Sequence, residues 1–316
     1  MNDPANVLLL GGVLLDRYFE VDRYPEAGQD TLIQKSYDRV GGCSLNVALT
    51  LKNLGNLPYI VNKFGNDEAG TIIEHYIESV AIPTTCMMKV PGGQTGYCLN
   101  ILDRSGERTF FTYKGCEIEF SPEMIPPQLK ANFAFAYITG YYLLNLQTAR
   151  VVLELVQQLR PNGCQILFDP GPLVGEMDTA QLRELLLVSD WLIPNSNELA
   201  IIQKKITIGG DLLGWLLSQG AKGIAVKKGS QGVEIITRQS SFTLKGFSVD
   251  SKDTTGAGDS FAGGFIHGLA NEYTLHEAAV LANACGAITT TIKGPHGVFS
   301  MDDINQLITK LEDNNS

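Results

Sequence analysis

The chain has 316 residues, 44% hydrophobic and 18% charged, the balance of a folded protein large enough to bury a core without disulfides or a structural metal. Its 24 basic and 34 acidic residues give a net charge of −10 with no basic stripe, which argues against a nucleic-acid partner. No apolar run reaches membrane-spanning length, and the six cysteines form neither a CxxC pair nor a zinc-type spacing with His. The expectation is a cytoplasmic protein with free thiols and no membrane partner.

In chain order, residues 7–13 read as a buried strand of continuous apolar residues. The glycines in VLLLGGVLL and the missing basic flank make a signal peptide a poor description of it. Residues 17–23 and 32–40 alternate, as half-exposed strands do. At 43–54 the spacing turns helical: Leu45, Ala48, Leu51 and Leu54 share a face, and Gly55 supplies a stop. A strand at 59–64 and a helix at 68–80 follow, the helix with Ile72, Ile73, Tyr76, Ile77 and Val80 as its apolar stripe. Two alternating segments, 95–102 and 108–114, joined by DRSGE, read as an exposed hairpin.

From residue 133 on, strands (133–139, 164–169, 190–194, 223–228) alternate with helices (145–160, 178–188, 196–203, 209–219). That order predicts a parallel sheet between helical layers. The end is helical over 258–270, 276–290 and 301–311. The early alternating strands do not fit a wound parallel sheet, so they are assigned to a small β appendage over one edge of the core.

The most informative stretch is DTTGAGDSFAGGF, 253–265. A helix start carries unpartnered N–H groups and the positive end of the helix dipole, and glycines let the backbone approach a ligand. TGAG therefore reads as an amide cradle for a phosphate. Asp259 follows it in the first helical turn, where an acid beside an anion site needs a task such as accepting a proton. Three other readings compete. A dinucleotide fingerprint would need a third glycine where Phe261 stands, and a hydrolase elbow would need one in place of Ala262 and a His partner. The third is that small residues only allow close helix packing.

The whole string resembles the signature D-T-x-G-A-G-D-x-F of the ribokinase-like (PfkB) carbohydrate kinases. A second family signature is similar to GGCSLNVALTLKNLG at 41–55, preceded by Asp16. There is no GxxxxGK[ST] P-loop. The resemblance implies a three-layer α/β/α sandwich with a central, mostly parallel sheet and a small β-sheet lid. It implies a single kinase domain over 1–316, with the lid formed by about 17–40 and 95–114, and a homodimer through the lid as in some relatives. The activity implied is ATP-dependent transfer to a primary hydroxyl of a small sugar or sugar derivative, with Mg²⁺ as cofactor.

Residue by residue, the resemblance makes Asp259 the catalytic base and the amides of Gly256, Ala257 and Gly258 the anion hole. Asp16 takes the place of the sugar-binding acid, with a turn Asp at a strand end as the alternative. Gly41 and Gly42 would let the backbone approach the sugar, and Asn46 would bond a hydroxyl. PNSNE carries N-x-x-E, placing Asn195 and Glu198 near the nucleotide phosphates, Glu198 reaching Mg²⁺ through water. An ordinary helix cap is the alternative for that pair. KKGSQG matches the nucleotide loop, with Lys227, Gly229 and Gly232, and Asn283 matches a position against the adenine. Asp253 and Thr255 match residues of a monovalent-cation site, which implies K⁺ dependence.

Departures narrow the substrate class. Where many relatives read D-x-N-x-R, this chain reads DPGPL, so the Arg that would pair with an acidic sugar is absent there. Arg108, on the second lid strand, is a candidate substrate contact, with a solvated strand Arg as the alternative. Tyr97, Tyr141 and Tyr142 are pocket candidates with ordinary packing as the alternative. A nucleoside kinase on the same scaffold and a non-catalytic sugar or nucleotide sensor are the competing functions. The intact Asp259 with Gly256 and Gly258 argues against the sensor, which needs no base.

Overall fold

The structure, a computed structural model, describes residues 4–104, 108–208 and 210–315. In chain order it begins with β1 (Asn6–Leu10), β2 (Leu14–Val21), β3 (Ile33–Gly41), α1 (Cys43–Asn53), β4 (Leu57–Gly65), α2 (Glu68–Ser79), β5 (Met87–Val90), β6 (Tyr97–Leu102) and β7 (Arg108–Tyr113). It continues with α3 (Pro127–Lys130), β8 (Phe135–Thr139), α4 (Leu146–Leu159), β9 (Gln165–Asp169), α5 (Thr179–Val188), β10 (Trp191–Leu192), α6 (Ser196–Lys205) and α7 (Leu212–Ser218). The last elements are β11 (Gly223–Lys227), β12 (Val233–Thr237), β13 (Ser241–Leu244), α8 (Ala257–Ala270), α9 (Leu275–Thr290) and α10 (Met301–Asn315).

Among the described residues the strands form two sheets. The larger has nine strands in the order β13-β12-β11-β10-β9-β8-β1-β4-β5, and only β12 and β13 run antiparallel to their neighbours. Its two faces show why β1 is apolar throughout. Leu8 and Leu10 pack with Val152, Leu182, Ile202 and Leu216 of α4 to α7, while Val7 and Leu9 pack with Leu45, Ile73, Phe265 and Ala282 of α1, α2, α8 and α9. A strand buried on both faces carries no polar alternation. The result is the expected three layers, helices on both sides of a mostly parallel sheet.

The smaller sheet has four strands in the order β3-β2-β6-β7, built from two separate parts of the chain. β2 pairs antiparallel with β3 and parallel with β6, which pairs antiparallel with β7. β2 starts at Leu14, three residues before the expected 17, so Asp16 is a strand residue facing Arg39 and Cys98 across the ladder rather than a turn residue. The turn expected at DRSGE includes 105–107, which lie outside the described residues.

Two other differences have physical causes. Ile72, assigned to the apolar stripe of α2, is 36% exposed, and Ala69, Gly70, Ile73 and Ile77 are the buried side of that helix. β5 and β13 have four residues each and none fully buried, so their apolar pattern is weak in the sequence, while β12 (VEIIT), with Val233 and Ile235 buried, adds an alternating strand to those expected. All six cysteines are unpaired thiols. Among the described residues no helix is long and apolar enough to cross a membrane.

Candidate active site

The sheet order reverses at β1, whose neighbours are β8 and β4: the chain fills one side through β5 and the other from β8 onward. Open α/β sheets bind ligands outside the carboxyl ends of strands at such a reversal. There the chain places the N-termini of α1 and α8. α2, α4, α5, α6, α7 and α9 each have an Asp, Asn or Thr side chain capping the first turn. α1 and α8 have none; each is preceded by a glycine with positive φ, Gly42 at 109° and Gly256 at 75°. No side chain caps their first-turn amides; in α8 the Ala257 N–H donates to the Thr254 carbonyl at a long 3.3 Å, and such uncapped helix starts suit an anion.

Asp259 is in the first turn of α8, half-buried, with Asn46 of α1 donating from Nδ2 to its Oδ2 at 2.7 Å. Asn46 is buried and its Oδ1 has no partner among the described residues. Burial pushes the Asp259 carboxyl up to about 7, the Asn46 hydrogen bond opposes this, the Asp169 charge adds to it, Lys227 opposes it and Glu198 adds to it. A carboxyl poised near neutrality can accept a proton at working pH.

α8 is locked in place behind this group. Thr50 of α1 and Thr289 of α9 both donate to Ser260 Oγ, at 3.1 and 2.8 Å. A Cβ on Gly263 would lie 2.8 Å from the Thr50 side chain, and one on Gly264 2.8 Å from Cys285 Sγ. The late glycines therefore serve close helix packing. Gly256 has a different constraint: a Cβ there would fall 1.8 Å from the carbonyl oxygen of Pro295.

On the other side of Asn46, Asp16 is buried and accepts from Asn100 Nδ2 of β6 at 3.1 Å. Burial raises its carboxyl to about 6, against the Asn100 hydrogen bond. A Cβ on Gly41 would lie 1.9 Å from Asp16 Oδ2, and one on Gly42 2.3 Å from the Gly12 carbonyl oxygen. The two glycines thus hold the backbone against the acid and against the end of β1. Arg108 pairs in register with Leu102 at the start of β7, and its side chain lies outside the described residues. Lys114, whose charge is felt by Cys98 as that of Asp16 is, has its Nζ 2.9 Å from Glu117 Oε1 and 4.0 Å from the centroid of the Tyr141 ring. Tyr142 is turned away, its hydroxyl donating to the Val61 carbonyl at 3.0 Å as ordinary packing.

A cavity of about 520 Å³ opens on the far side of the cradle. Lys227, Gly229, Gly232, Ala257, Gly258 and Asn283 all line it. Asn283 Nδ2 donates to the Lys245 carbonyl at 3.4 Å. Asn195 and Glu198 form a capping box on α6: Glu198 N donates to Asn195 Oδ1 at 2.9 Å, and Asn195 N donates to Glu198 Oε2 at 2.8 Å. The capping alternative is thus realised, and the same residues stand in the electrostatic cluster with Lys227 and Asp169. Burial raises the Glu198 carboxyl, Lys227 opposes it and Asp169 adds to it.

Asp169, Glu198 and Asp259 together with Lys227 leave a surplus of negative charge, which suits a divalent cation. Among the described residues no three His, Cys, Asp or Glu side chains are arranged to hold a metal ion. The charge surplus is of the kind that Mg²⁺, held largely by water and phosphates, would offset. Asp253 is buried, accepting from Thr255 N at 2.9 Å and from Gly294 N at 3.0 Å.

Sequence reasoning did not single out Asp169, Asn100 or the Lys114–Glu117 pair. Asp169 had a signal, an acid closing the apolar strand ILFD. The other three depend on how β6 and the segment after β7 return to the core, which no local pattern displays.

The family model described as "pfkB family carbohydrate kinase" matches residues 5–299. The chain is 29% identical over 311 residues to an ATP-dependent ribose-1-phosphate kinase of Halopiger xanaduensis, covering 98% of this chain and 100% of that one. It is 27% identical to a ribokinase of Haemophilus influenzae, covering 90% and 92%. Its fold is similar to that of a Methanocaldococcus jannaschii nucleoside kinase of the ribokinase family, with TM-score 0.85, 20% identity and 98% and 100% coverage. It is also similar to a putative ribokinase II of E. coli in complex with ATP and Mg²⁺, with TM-score 0.83, 23% identity and 97% and 99% coverage. The match over almost the whole chain, on a fold whose strand ends gather an acid, an amide cradle and a cavity, means that this protein belongs to the pfkB family of carbohydrate kinases.

Proposed function

We propose that the protein transfers the γ-phosphoryl group of ATP to a primary hydroxyl of a small sugar or sugar derivative, with Asp259 as general base. The observation that carries this is the place of Asp259. Its carboxylate accepts from Asn46, one turn after Gly42 on α1, while the two residues before it, Ala257 and Gly258, line the cavity shared with Lys227, Gly229, Gly232 and Asn283.

In this reading Asp16 and Asn46 orient the acceptor. Asp259 takes the hydroxyl proton as that oxygen forms its bond to phosphorus, the bond to the β-phosphate oxygen breaks, and ADP leaves. The amides of Gly256, Ala257 and Gly258 stabilise charge on the group in transit. Glu198, which accepts from Asn195 Nδ2, would hold a Mg²⁺ through water, and that ion would supply positive charge to the phosphates. Asp253 and Thr255, beside the cradle, are assigned to a monovalent cation, and Arg108 to the acceptor.

The test is ADP release with Mg·ATP over neutral sugars, sugar acids, sugar phosphates and nucleosides, each with K⁺ or with Na⁺ alone. Sugar phosphates are included because the Halopiger relative is named for a kinase of one. A sugar or sugar derivative is expected to turn over fastest, and faster in K⁺. Turnover of nucleosides alone would favour the competing activity, no turnover of any acceptor a sensor, and equal rates in K⁺ and Na⁺ would remove the cation assignment.

The small sheet exposes Ile33 (54%) on β3 and, on one face of β7, Phe111 (57%) and Tyr113 (43%), apolar side chains that a second copy would cover. A homodimer through this sheet is expected in sedimentation, with Phe111→Asp shifting it to monomer. A wild-type monomer at micromolar concentration would contradict this.

A further inference from the structure

Asp169 has no part in the mechanism above, yet its surroundings give it one. It is buried at the end of β9, and its Oδ2 accepts from Lys227 Nζ at 2.7 Å and from the Tyr137 hydroxyl at 3.3 Å. Lys227 ends β11, where its backbone N–H donates to the Pro194 carbonyl at 2.8 Å. Its Nζ lies 3.6 Å from the position a Cβ on Gly258 would take, and it lines the nucleotide cavity with Gly258. The ammonium therefore stands where that cavity meets the amide cradle.

We infer that Asp169 is a positioning residue that acts through Lys227, holding its ammonium against the Gly256–Gly258 cradle so that the phosphoryl group in transit meets a fixed cation. The inference rests on the reading of the cradle as the transfer site. Stability alone is a weak reason for such a pair, since a buried ion pair is often no better than an apolar replacement. A lysine on its flexible stem samples many rotamers unless something fixes it. Here two carboxylates compete for it, Glu198 and the base Asp259, and both feel its charge. Released from Asp169, the ammonium would turn toward one of them, and at Asp259 it would quench the group that must take the proton. Asp169 thus keeps the cation beside the cradle and off the base.

The test is a double-mutant cycle with Asp169→Asn, Lys227→Met and the double variant, each checked for an unchanged melting transition. Asp169→Asn is expected to lower kcat by about 10²-fold with KM for ATP and acceptor within about threefold. The double variant is expected to be no slower than Lys227→Met, because residues acting as one unit do not add. Lys227→Arg, which keeps the charge, should retain more activity than Lys227→Met. Wild-type kcat in Asp169→Asn, or losses that multiply in the double variant, would overturn the inference. If Asp169→Asn does not fold, the inference stands or falls on the Arg variant, equal loss in Arg and Met refuting it. Asp259→Asn in the same assay keeps the two readings apart: turnover retained there sinks the base assignment, whatever the cycle shows.

Discussion

Asp259→Asn is expected to lower kcat by about 10³-fold, within the range that general acid–base catalysis contributes, while ATP binding is retained. The substitution is nearly isosteric, and the neighbours of Asp259 hold their places without it. Ser260 is fixed by Thr50 and Thr289, and the cradle by its contact with Pro295. What disappears is the basic carboxylate: the amide oxygen that replaces it is too weak a base to take the proton. The wild-type pH profile should carry the same signature. The base works only when ionised, and burial lifts its carboxyl from the ordinary range near 3.8 to about 7. Activity should therefore fall as pH drops through about 7, while an unperturbed Asp would hold it down to about 4. Initial rates across pH at saturating ATP, with nucleotide binding by calorimetry, check both points. Undiminished turnover in the Asn variant would exclude Asp259 as the base.

Gly41→Ala is expected to lower kcat/KM for the acceptor by about 10²-fold, the scale of a misplacement near 1 Å, without weakening ATP binding. The new methyl would sit 1.9 Å from Asp16 Oδ2, far inside contact distance, so the carboxylate must turn away. It cannot do so freely, because Asn100 holds its other oxygen at 3.1 Å. The nucleotide cavity contains neither residue among its walls, so the loss should be confined to the acceptor. Unchanged acceptor kinetics would show that the Asp16 carboxylate is not in the binding pocket.

Much of this was legible in the sequence, for a physical reason. Parallel strands buried on both faces are continuous apolar runs, and the helices between them keep a clean stripe, so the alternation after residue 133 announced the layers. DTTGAGDSF and GGCSLN were legible because a cradle and an acid need small residues at fixed offsets along a single turn. What stayed hidden depends on distant chain segments. The bond from Asn46 to Asp259 spans 213 positions and that from Lys227 to Asp169 spans 58. Gly256 was read as space for a ligand, while the structure shows that its missing Cβ also makes room for Pro295.

That contact has a consequence for how the two substrates influence each other. The segment 293–297 touches the cradle through Pro295 and holds the small sheet as well. Arg39 of β3 donates to the Lys293 carbonyl at 2.7 Å, and the His296 ring nitrogen Nε2 lies 3.0 Å from the Val40 carbonyl. One short stretch of chain is therefore a mechanical part common to strand β3, which ends at Gly41, and to the turn that opens α8. Were β3 to shift on acceptor binding, the cradle would be strained or relieved with it. Thermodynamic linkage then demands that each substrate change the other's affinity by the same factor. Binding order in this enzyme would be a property of a five-residue tether rather than of either pocket.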